Sequence, residues 1–147
     1  MILPIVSFGN SILRCKCSPV QENQPIEDIL KNMYETMYNA QGVGLAAPQV
    51  GLDLSIFIID TTPFCDDENN LIPLKKEFIN PEIIDMRIIN PFNHKIITES
   101  VKKTGRLFVL DGGWGPCGIS SEVIASVSEK INPKYFKSKP KRLTIPF

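Results

Sequence analysis

Apolar residues first recur at helical spacing in Ile26, Ile29, Leu30, Met33 and Met37, one stripe separated by polar positions. Pro25 suits a first turn, Asn23 or Gln24 can cap it, and Glu27 and Asp28 complement the positive end of the dipole. The pattern predicts a long helix from residue 25, its methionines in the core, ending through Asn39-Ala40-Gln41 at Gly42. Residues 1–17 read as an extended, docked arm with a turn at Gly9-Asn10. Leu54-Ser55-Ile56-Phe57-Ile58-Ile59 is β-rich and predicts a strand buried on both faces at its end. Residues 61–73 form a polar loop whose Asp66-Asp67-Glu68 are expected in solvent. Residues 78–84 predict a second strand, which Pro81 confines to an edge or a bulge.

After residue 85 the pattern loses this regularity. Ile89-Asn90-Pro91 echoes Ile79-Asn80-Pro81, too briefly for a structural repeat but consistent with a local duplication. Residues 106–110 and 123–127 predict strands, and Gly112-Gly113-Trp114-Gly115-Pro116 predicts a turn-rich loop. The tail carries Lys134, Lys137, Lys139, Lys141 and Arg142 and reads as a solvated, fraying end.

Composition narrows the functional classes. A chain of 147 residues suffices for one core, so a single domain over 1–147 is expected. Its formal net charge is zero, which gives no electrostatic reason to expect nucleic acid or an anionic membrane as partner. The first residues lack a basic segment and are broken by Pro4, so no signal peptide is read there and the expected location is the cytoplasm. Cys15, Cys17, Cys65 and Cys117 form no C-x-x-C pair or disulfide-like framework, which points to a reducing compartment. Cys15-Lys16-Cys17 has the spacing of a soft metal clip, although an early extended segment explains it as well. There is one histidine, His94, whereas a zinc or ferrous site of two imidazoles and a thiolate needs two.

Between the helix and the first strand lies Gly42-Val43-Gly44-Leu45-Ala46-Ala47-Pro48-Gln49-Val50-Gly51. Gly42 and Gly44 permit close approach of another backbone, and Ala46 and Ala47 keep the wall thin. Gln49 is the side chain here that can donate to a carbonyl oxygen while accepting through its own. Alone, the run could be a tight junction. It follows Asn32-Met33-Tyr34-Glu35-Thr36-Met37-Tyr38-Asn39-Ala40, precedes a β-rich run, and is joined by Ile2-Leu3-Pro4-Ile5-Val6 and the strand at 78–84. In that setting the sequence resembles the peptide deformylase family, metal hydrolases that remove the formyl group from the N-terminal methionine of new polypeptides. The resemblance covers about the first 84 residues.

The resemblance implies an α+β fold with one long helix and antiparallel strands around the glycine-alanine wall. It implies that Gln49 contacts the formyl oxygen, or the oxyanion it becomes. Gly42, Val43, Gly44 and Leu45 would bind a formyl-methionyl peptide in β fashion. In the family a divalent metal (iron, nickel or zinc) is held by the cysteine of an E-G-C-L-S segment and both histidines of an H-E-x-x-H helix, whose glutamate handles the proton as water attacks. Neither segment is present here. Cys117, in Gly115-Pro116-Cys117-Gly118-Ile119-Ser120, is a weak echo of the cysteine motif without its glutamate or leucine. Nothing in the spacing of Cys117 and His94 supports a nucleophile and its base.

No cofactor is therefore expected for this chain. It reads as a deformylase relative inactive as it stands, or alternatively as a non-catalytic protein that binds N-terminal peptides. Residues 86–147 are expected to be divergent, or translated out of frame, and poorly determined without the central metal-binding helix. Gly105-Arg106-Leu107-Phe108-Val109 can be encoded by GGA AGG TTG TTT GTC C, which one base later reads Glu-Gly-Cys-Leu-Ser.

Overall fold

The computed structural model describes residues 1–65 and 73–145, so the acidic run at 66–68 lies outside it, as does the side chain of Trp114. The chain divides into two compact units, Met1–Pro81 and Glu82–Phe147. Each closes its own core.

The first unit is built on the expected helix, α1 (Glu27–Asn39), which buries Met33, Thr36 and Met37. Its N-cap is Ile26, with no side-chain cap, so neither Asn23 nor Gln24 plays that part. Gly42 N–H closes the C-terminal turn by donating to the Met37 carbonyl at 2.9 Å. The left-handed residue of that turn is Gln41 (φ 53°) rather than a glycine. A Cβ at Gly42 would lie 3.4 Å from the Met37 carbonyl oxygen and 3.5 Å from its Cγ, ordinary contact distances, so neither space nor backbone angle demands a glycine there.

Three antiparallel strands follow in the order β1 (Gly44–Ala46), β2 (Ile56–Asp60) and β3 (Lys75–Ile79). Gly44 pairs with Ile59 and Ala46 with Phe57 across β1 and β2. On β2, Ile56, Ile58 and Asp60 are buried while Phe57 and Ile59 are half-buried, so the strand covers one face fully rather than both. Phe57 stacks on its β3 partner Phe78 with ring centroids 4.4 Å apart. β3 lies upstream of the predicted 78–84: the ladder stops at Ile79, and Asn80 turns left-handed (φ 50°). Its side chain then brackets Val20, accepting from the Val20 N–H at 2.8 Å and donating to its carbonyl at 2.9 Å. Met33, Met37, Leu45, Ala47, Val50, Ile56 and Ile58 form the core between α1 and the sheet.

The second unit departs from its sequence reading. It consists of α2 (His94–Thr104), β4 (Phe108–Trp114), α3 (Ile119–Lys130) and β5 (Lys141–Ile145). Residues 123–127 are helical, not a strand. Ser120, Val123 and Val127 recur at three- and four-residue intervals on the buried face of α3, and that period overrides their β-branched character. Residues 112–114, expected in a loop, continue β4. The tail does not fray: β5 pairs parallel with β4, Phe108 opposite Lys141 and Leu110 opposite Leu143. Ile97, Val101, Val123, Val127 and Ile131 make a dry centre, flanked by Leu107, Val109 and Phe136. Burying each such aliphatic side chain stabilises by roughly 1.5–3 kcal/mol. No helix among the described residues is long and apolar enough to cross a membrane.

Candidate functional site

The glycine-alanine run becomes β1 and the 3-10 turn Ala47–Val50 that follows it. Leu45 points into the core, while Gly44 and Ala46 lie towards the surface. β1 is an edge strand with β2 on one side only. Asp60 N–H donates to the Val43 carbonyl at 2.9 Å. Val43 therefore forms a hydrogen-bonded pair with Asp60, and so, by alternation along an antiparallel ladder, does Leu45 with Ile58. Gly44 and Ala46 fall between these pairs and turn their peptide groups to the open edge.

One of those groups is already used. The Ala46 N–H donates to Oε1 of Gln49 at 2.8 Å. This contact fixes the carboxamide of the otherwise exposed Gln49 and commits its oxygen, leaving the NH2 end for a carbonyl acceptor. The Gln49 backbone is fixed too, because its carbonyl accepts from the Val6 N–H at 2.9 Å. The N-terminal arm thus holds the turn in place, helped by Leu3 N–H donating to Thr36 Oγ1 at 2.8 Å. Of the expected substrate-binding residues, Gly44 presents its backbone outwards, Leu45 is buried support, Val43 is engaged by β2, and the Gly42 N–H is spent on the C-terminal turn of α1.

Behind the wall lies a polar cluster that periodicity does not reveal. Buried Asp60 accepts from the Tyr38 phenol at 2.6 Å and from the Thr62 N–H at 2.9 Å. The Tyr34 phenol donates to Glu77 at 2.9 Å, and Lys75 Nζ sits 4.5 Å from the Tyr34 ring centre and 5.6 Å from that of Tyr38. The Thr62 side chain and then the Tyr38 phenol, donating to Asp60, hold its carboxyl below the usual range. The Asp60 carboxylate pushes the Tyr38 phenol up, and burial followed by the Glu77 hydrogen bond pushes up that of Tyr34. A hydrogen bond with Tyr38 raises Lys75. Asp60 ties α1 to β2 through its side chain and β2 to Val43 through its backbone, so it positions the wall. The available signal was a carboxylate in phase with Ile56 and Ile58, on the buried face of a strand.

The residues considered for metal binding lie in the other unit. His94 opens α2 and meets Phe92 edge-on at 6.5 Å. Cys117 is exposed in the loop between β4 and α3, with left-handed backbone (φ 56°). Among the described residues no three His, Cys, Asp or Glu side chains are grouped to hold an ion. Cys15 donates its thiol to the Ser11 carbonyl at 3.3 Å. A sequence with one imidazole does not fit the family's metal.

The family model described as polypeptide deformylase matches residues 2–100. The chain belongs to that family. It is 48% identical over 93 residues to the peptide deformylase of Christiangramia forsetii, covering 58% of this chain and 47% of that protein. With the peptide deformylase of Flavobacterium johnsoniae it shares 51% over 92 residues, again 57% of this chain and 47% of the relative. It thus spans about half the length of the curated relatives it matches. Among solved structures, a peptide deformylase from Legionella pneumophila aligns with 58% of this chain and 47% of its own, at 32% identity and a TM-score of 0.48.

A second family model, transketolase C-terminal domain, matches residues 72–147. Over that stretch the chain belongs to this family also, and the two matches overlap across the boundary between the units. The deformylase match also runs to residue 100, past the expected limit at 85.

Proposed function

We infer that the first unit binds the N-terminus of a formyl-methionyl peptide without hydrolysing it. The peptide backbone adds to the open edge of β1 at Gly44, and the NH2 of Gln49 meets the formyl oxygen. One observation carries the reading. Gln49 Oε1 is taken by Ala46 N–H, so the carboxamide has a single orientation and offers a donor beside an unpaired strand edge. Hydrolysis is assigned no step, because the sequence supplies one histidine where the family's chemistry uses two. Membership of the deformylase family and its substrate class support the peptide as ligand.

Calorimetric titration of the purified chain with formyl-Met-Ala-Ser tests this. Saturable binding, weaker by tenfold or more in Gln49→Ala and for the unformylated peptide, is expected, because a lost donor leaves the formyl oxygen unpaired at a cost of roughly 1–3 kcal/mol. Release of formate by the pure chain at an enzymatic rate would refute the inactive reading. Absence of binding would refute the peptide site.

A further inference from the structure

The zero net charge conceals a segregation between the two units. Met1–Pro81 has five Lys and Arg against ten Asp and Glu, whereas Glu82–Phe147 has eleven against six. Within the second unit, several basic side chains gather around Tyr135 and the segment that follows it. Lys102, near the end of α2, and Lys134 both lie on the Tyr135 ring, 5.9 and 5.5 Å from its centre. Lys137 packs along Gly105, the left-handed C-cap of α2, and its N–H donates to the Gly105 carbonyl at 2.8 Å. Lys137 and Lys139 then line an open groove of about 390 Å³ with Ser128, Pro133, Phe136 and Pro140. Arg106 and Lys141 adjoin this line, Lys141 N–H donating to the Leu107 carbonyl at 3.0 Å.

These side chains are exposed, and among the described residues the ion pairs of the unit lie elsewhere: Arg87 with Asp85 and Lys103 with Glu82. Six exposed cations without an ion pair among the described residues, two of them lining the groove and two flanking a Tyr135 ring that is 37% exposed, combine positive charge with an aromatic surface. We propose that this surface of the second unit binds single-stranded nucleic acid, its lysines on successive phosphates and Tyr135 against a base. A compact protein partner would meet the same charge with fixed carboxylates, but the groove is open along its length and suits a flexible polyanion.

Fluorescence anisotropy with a labelled twenty-nucleotide oligo(U) tests the proposal on the full chain. With about five phosphates engaged, affinity falls roughly a hundredfold between 50 and 200 mM salt. Lys134→Gln and Lys139→Gln should each flatten the logarithmic salt dependence by about 0.7, while Lys16→Gln in the first unit leaves it unchanged. Lys139 is an exposed loop residue, so its variant retains the fold if Lys134→Gln does not. No binding at 50 mM salt, or binding insensitive to both substitutions, would overturn the proposal. So would salt-sensitive self-association that excludes the oligonucleotide, since the acidic unit of a second copy would then be the occupant. Preferential capture by vesicles containing phosphatidylserine would overturn it in favour of a membrane.

Discussion

At the scale of single residues, Asp60 does the most to hold the wall, because it bonds the helix, the strand and the turn after it. Its carboxyl is depressed, so its contribution is complete above the ordinary carboxylate value of about 3.9 and is lost as pH falls through the lower folded value. Tyr34, Tyr38 and Lys75 are raised, so their contributions are complete below about 10 and disappear as pH rises past their folded values. Urea unfolding of the first unit across pH should therefore give a plateau that falls at both ends. Asp60→Asn should lower that plateau by about 1.5–3 kcal/mol, the cost of removing a hydrogen-bonded charge, and flatten the acid limb. Absorbance at 295 nm should show two of the three tyrosines ionising late in the parent chain, with Tyr38→Phe removing one of them. An acid limb unchanged by Asp60→Asn would remove the positioning role given to this carboxylate.

At the scale of elements, termination decides whether α2 forms. Asn93 accepts from the Lys95 N–H at 3.2 Å to cap one end, and Gly105 (φ 73°) closes the other by donating to the Val101 carbonyl. Gly105→Ala should destabilise the second unit by about 1–2 kcal/mol from left-handed strain alone. The added Cβ would also lie 2.6 Å from Lys137 Cγ and force that side chain to move. Thermal unfolding followed by circular dichroism measures the loss, and an unchanged midpoint would show that the cap is not needed.

These same signals were present in the sequence: Asn93 before the helix, Lys102-Lys103 in its last turn, Gly105 after it, and Ile97 and Val101 four apart. They were masked by the isoleucines and prolines around 83–91, which suggest strand and turn. α1 was legible because five apolar residues keep helical phase over three turns, and β2 because its apolar run has no such phase. Gln49 was legible as a chemical group. That its oxygen is spent on Ala46 was not, since this depends on the 3-10 turn folding back over β1.

At the scale of the whole molecule, two cores predict two responses. Met37 is 1% exposed in the first and Ile97 4% exposed in the second, and the two belong to separate clusters. Met37→Ala and Ile97→Ala should each cost about 2–5 kcal/mol, the range for truncating a large buried aliphatic side chain. If the units are cooperative on their own, each loss stays in its own unit. In hydrogen exchange, Met37→Ala should lower protection across α1 and β2 and leave α3 unchanged, while Ile97→Ala should do the reverse. The reference chain should show protected amides in both α1 and α3, because each is anchored by side chains almost wholly removed from water. A uniform drop across both units from either substitution would mean that the chain unfolds as one body. The separation of the two clusters argues against that: the residues of the first all lie within Met1–Pro81 and those of the second within Glu82–Phe147.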